Sequence, residues 1–119
     1  MNLLNLEDDK FKTINVRGYK FKIRFISPKD RILIGQKRAI FQGGQPLESF
    51  TESEFIFYEN IAINDLCIEE TPDQFNSFES CANWDDETLI NDIASEIRKH
   101  TQEIQEKLKK NKHIEGSEG

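Results

Sequence analysis

FKTINVRGYKFKIRFI, residues 11–26, decides the fold. In its second half the residues alternate: Tyr19, Phe21, Ile23 and Phe25 fall on one face, and Lys20, Lys22 and Arg24 on the other. Alternation with a period of two is the pattern of a half-buried strand. Arg17-Gly18, between the two runs, supplies a left-handed turn position. The segment therefore reads as a β-hairpin with one apolar and one basic face. Two strands alone are marginal in water. The aromatic face needs helices, or another subunit's sheet, packed against it.

Helix signals follow. Ser27-Pro28-Lys29-Asp30 puts a serine at the N-cap, proline at the first helical position and an acid three residues after the cap. This helix should run to about Gln42, with Ile32, Leu33, Ala39, Ile40 and Phe41 inward and Gly43-Gly44 stopping it. Gln45-Pro46-Leu47 reads as a loop, and Thr51-Glu52-Ser53-Glu54 as a second capping box that opens a helix to about Cys67. That helix is apolar on most sides, which makes it either central or buried in an oligomer. In 119 residues full internal coverage is difficult, so a subunit interface through Phe55, Phe57, Tyr58, Ile61 and Ile63 is expected. Thr71-Pro72-Asp73-Gln74 repeats the cap signature for a short turn, and a polar linker from Asn76 to Asn83 holds Phe78 and Cys81. Trp84-Asp85-Asp86-Glu87 opens the last helix, whose stripe is Leu89, Ile90, Ile93, Ala94, Ile97, Ile104 and Leu108. The expected fold is α+β and mostly helical: an N-terminal β-hairpin followed by three main α-helices. Residues 1–10 are expected as a flexible arm, 11–112 as a single domain and 113–119 as a disordered tail.

The charges are sorted along the chain. Residues 1–42 hold 10 basic and 4 acidic residues, 43–92 hold none and 13, and 93–119 hold 6 and 5, for a net −6. Separate blocks of opposite sign pair within one chain or head to tail between copies, and their field steers partners. Lys20, Lys22, Arg24 and Arg31 form the candidate face that meets the acidic middle. With no 18-residue apolar run and no leader pattern, the chain reads as cytoplasmic and not membrane-bound.

No residues form a convincing catalytic constellation, and no cofactor or metal is expected. Cys67, Cys81, His100 and His113 are separated by 13, 18 and 12 residues, without the close ligand pairs that make a zinc pattern. A Cys/His nucleophile pair lacks an orienting third group. Gly43-Gly44 has no following Lys-Ser/Thr and is a helix stop rather than a phosphate loop. The basic strand at 20–24 is the best nucleic-acid candidate. Strict alternation, however, puts its rings and cations on opposite faces, whereas a stacking platform exposes both.

The order of elements resembles the small tail assembly chaperones of tailed bacteriophages. The resemblance covers about residues 14–110. It lies in the hairpin YKFKIRF, the helix SPKDRILIGQKRA, a Gly-Gly-x-Pro-Leu loop, the step LCIEETPDQF and the final WDDETLINDIASEIRKH. It implies a non-enzymatic protein, cytoplasmic in a bacterial host. Such a chaperone binds and shields the tape-measure protein, meets other tail proteins, and self-associates into rings or spirals. Two other classes stand beside it: a virion structural or baseplate subunit, and a nucleic-acid-binding regulator using strand 20–24.

Overall fold

A computed structural model describes residues 9–46, 48, 50–75 and 79–118, with side chains through Lys110. Most of the expected N-terminal arm (residues 1–8), Leu47, Phe78 and the side chain of His113 lie outside the described residues. The architecture is α+β and mostly helical, as expected.

Strands β1 (Phe11–Val16) and β2 (Tyr19–Arg24) pair antiparallel, from Val16 opposite Tyr19 to Phe11 opposite Arg24. Arg17 (φ 54°) and Gly18 (φ 85°) are both left-handed, the backbone that a two-residue hairpin turn requires. The Asn15 side-chain oxygen accepts the Gly18 N–H at 2.9 Å. A third strand, β3 (Ile68–Glu70), pairs antiparallel on the free edge of β2, so the sheet order is β1-β2-β3. The hairpin thus gains its third strand from the same chain.

Helix α1 (Pro28–Gln42) carries the complete capping box between Ser27 and Asp30 and ends at left-handed Gly43 (φ 62°). Helix α2 (Glu52–Cys67) has the Thr51/Glu54 box. Helix α3 (Glu87–Glu118) starts after Asp86, whose carboxylate accepts the Leu89 N–H at 3.1 Å. Its backbone continues past Lys112 as helix, through the segment read as a disordered tail, with no proline to stop it. Thr71-Pro72 leads into a single 3-10 turn, Asp73–Phe75.

Ile14, Val16, Phe21 and Ile23 project from one face of the sheet onto Ile93, Ala94 and Ile97 of α3 and Ala62, Ile63 and Cys67 of α2. On the other side of α2, Ile61 packs with Cys81 and Ile90. Helix α2 is therefore the central element of the monomer. Its C-terminal half, from Asn60 to Cys67, is met by its own chain, so Ile61 and Ile63 lie in that interior rather than at an outer face, while Ile56 in the first half is 42% exposed.

The inward face of α1 differs from expectation. Asp30 and Ile34 are buried, whereas Ile32 is 65% and Ile40 74% exposed. The helix carries apolar residues on two faces, so apolar spacing alone leaves its rotation open. The ion pair of Asp30 with Arg24 sets it. Leu108, expected in the α3 stripe, is 38% exposed because the stripe outruns the sheet and α2.

Candidate interaction surface

The basic strand is largely engaged within the chain. Arg24 pairs with Asp30, bonds Glu69 at 2.9 Å and donates to the Leu66 carbonyl at 2.6 Å. Lys22 stands over the Phe11 ring at 4.7 Å. Lys20 and Arg31 are exposed and have no carboxylate partner among the described residues. Arg17, read from sequence only as a turn residue, bonds Asp86 at 2.7 Å, Thr88 at 2.7 Å and Asp92 at 2.8 Å. The Thr88 hydroxyl and the Leu89 N–H, with Arg17, hold the Asp86 carboxyl below the usual carboxylate range. The basic and acidic blocks thus meet inside one molecule through Arg17 and Arg24. The sorting of charge along the chain was the only sequence signal for the Arg17 contacts.

On α2, Phe55, Phe57 and Tyr58 are half-buried. The Arg38 guanidinium lies 4.4 Å from the centre of the Phe55 ring. Tyr58 meets Phe50 edge-on at 5.5 Å between ring centres and Phe41 at 6.3 Å. These three residues remain partly reachable, while Ile61 (5% exposed) and Ile63 (2%) are closed off by the core.

Two surfaces remain open. One is a stripe on α1: Ile32, Gln36 and Ile40 are spaced by four and all exposed. The other is a groove of about 870 Å³ where α1 and α3 both rest on α2. Leu108 and the edges of the buried Ile26, Ile34 and Ile63 supply its apolar lining, and Arg31, Arg38, Arg98 and Lys109 its positive charge. Arg98 is committed to the Asn60 side-chain oxygen at 2.6 Å and to Glu59 at 3.6 Å. A smaller cleft of about 500 Å³ near the C-terminal end of α2 has the opposite sign, lined by Asp65, Glu69, Glu70 and Glu79.

The reactive side chains are held quiet. Burial pushes the Cys67 thiol up to about 12, against the pull of Arg24, and burial also raises Cys81. Thiolate is the reactive form. Alkylation of the native protein by a maleimide is therefore expected to be slow at both cysteines and rapid after urea denaturation. Rapid native labelling, followed by mass spectrometry, would contradict this. His100 is buried, with Nε2 at 3.2 Å from the Lys10 carbonyl. Among the described residues no three His, Cys, Asp or Glu side chains are grouped to hold a metal ion. No helix of the described residues is long and apolar enough to cross a membrane. No protein-family model, curated protein or solved structure matches the chain.

Proposed function

We propose that this chain is a non-enzymatic assembly factor of the phage tail-chaperone kind. It acts in the cytoplasm of a bacterial host and shields apolar helical segments of a long partner, the tape-measure protein, until the tail tube covers them. The observation that carries this reading is the stripe on α1. Ile32 and Ile40 leave most of their side chains in water on one face of a well-capped helix. Burying an isoleucine contributes about 1.5–3 kcal/mol. The nucleic-acid alternative loses ground because Arg24 and Lys22 are already engaged within the chain.

The test is co-expression with a phage tape-measure protein, the long helical partner this reading names. The partner should be soluble and co-purify with the wild-type chain. Ile32→Glu/Ile40→Glu should lower affinity by about a hundredfold, from roughly 3 kcal/mol of lost burial, with helix content unchanged. A partner that is equally insoluble with and without the wild-type chain would overturn the reading.

A further inference from the structure

The α1/α3 groove lies on a different face of α1 from the exposed stripe. Arg31, Ile34, Gly35 and Arg38 follow the i, i+3, i+4, i+7 spacing along the groove wall, well around the helix from Ile32, Gln36 and Ile40 at about 100° per residue. On α3, Arg98, Thr101, Gln102 and Gln105 repeat the same spacing, and Glu59 and Ile63 of α2 lie between the two walls. We propose that this groove binds an amphipathic α-helix of a partner protein whose flanks are acidic. The inference rests on the protein-binding reading above, and it adds a second surface and the chemistry of what occupies it.

Charge is the first argument. Among the described residues neither Arg31 nor Arg38 has a carboxylate partner, and Arg38 is stacked on Phe55 instead. Lys109 likewise has no carboxylate partner among the described residues, and with Arg98 neutralised by Glu59 only Glu106 among the described lining residues opposes these three cations. A positive groove on a chain of net charge −6 is a local feature with its own partner preference. Leu108, 38% exposed, with the edges of the buried Ile26 and Ile34 beneath it, suits the apolar face of a helix, with carboxylates on its flanks reaching the arginines.

Gly35 is the second argument. It sits in the middle of α1, where glycine is unfavourable relative to alanine. Neither a left-handed backbone nor a close neighbour requires it: a Cβ built there meets nothing within 4 Å. A helix lying in the groove would use this glycine, because the bare backbone lets it approach closely. Nucleic acid fits less well, since among the described residues no aromatic ring lines the groove and Glu59 and Glu106 face it.

The experiment is selection from a display library of short helical peptides with an apolar face and randomised flanks. Selection runs on the full chain and, in parallel, on Gly35→Leu, whose Cβ meets nothing within 4 Å and whose side chain adds bulk to the groove wall. Arg31→Glu/Lys109→Glu is a second variant that leaves both helices and the Arg38–Phe55 contact in place. Enriched peptides should carry Asp and Glu on their flanks and bind at least tenfold more weakly to both variants in fluorescence anisotropy. Enrichment of neutral or basic flanks, or equal binding to Gly35→Leu, overturns the proposal. Binding of labelled DNA that Gly35→Leu abolishes would assign the groove to nucleic acid and overturn it too. Self-association lost in Gly35→Leu would assign the groove to a second copy of this chain, which equally overturns the proposal. The Ile32→Glu/Ile40→Glu variant should keep the selected peptides. If no groove peptide emerges while that variant still loses the long partner, the groove inference falls alone. If both bindings fail, the protein-binding reading falls with it.

Discussion

Replacing Phe21 by alanine is expected to destabilise the protein by about 3–5 kcal/mol, the range for truncating a buried aromatic. The side chain is 0% exposed at the centre of β2. Its ring lies 5.6 Å from Phe75 and 6.1 Å from Trp84, and Phe75 and Trp84 are 4.7 Å apart. Phe21 therefore ties the sheet to the segment between α2 and α3, while its cluster includes Ile93 and Ile97 of α3. The neighbouring rings cannot collapse into the space without leaving each other, so both a cavity and the aromatic contacts are lost. A domain of this kind has about 5–15 kcal/mol in total, so the loss is a large fraction of its stability. Urea unfolding should show a lower midpoint with an unchanged slope. The half-buried Phe25, just beyond the end of β2, should cost clearly less. Equal losses at the two positions would show that Phe21 is not the centre of the core.

The elements legible in the sequence were those held by local bonds. The hairpin follows from alternation and a two-residue turn, and both capping boxes are contacts across three residues. Two features had no local signal. Strand β3 has three residues and leaves α2 directly at Ile68, too short for alternation to register. The face that α1 buries depends on Asp30 meeting Arg24, and on the Leu66 carbonyl 42 residues beyond Arg24 that the same guanidinium reaches. The candidate surface was less legible for a similar reason. The apolar count on α2 correctly implied a helix covered on most sides, but only the tertiary arrangement showed that its own chain supplies the cover. The isoleucines left most in water, Ile32 and Ile40, were on α1, with Ile56 of α2 less exposed at 42%. The groove is a product of three helices at once, and no single stretch of sequence contains it. Arg17 is the converse case, a turn residue whose partners lie 69 to 75 positions away.

Arg24→Met should be comparably damaging, about 3–5 kcal/mol at neutral pH, because it leaves a buried carboxylate without its cation. The Asp30 side chain is 6% exposed and that of Arg24 is 17%. Burial pushes the Asp30 carboxyl up, but Arg24 and the Ser27 N–H and hydroxyl, both donating at 2.9 Å, together hold it below the usual carboxylate range. A carboxyl whose folded pKa is depressed contributes stability that is complete above its unfolded pKa and lost as pH falls through the folded one. The Asp30–Arg24 contribution should therefore be intact at pH 7 and decline from about pH 4 downward. The gap between wild type and Arg24→Met should narrow over the same interval, since a protonated Asp30 no longer needs the guanidinium. Urea unfolding of both proteins at pH 7 and at about pH 3 measures this directly. A gap of constant size would mean that Arg24 acts through its stem and the Leu66 carbonyl, and that the rotation of α1 is set by packing rather than by the buried charge.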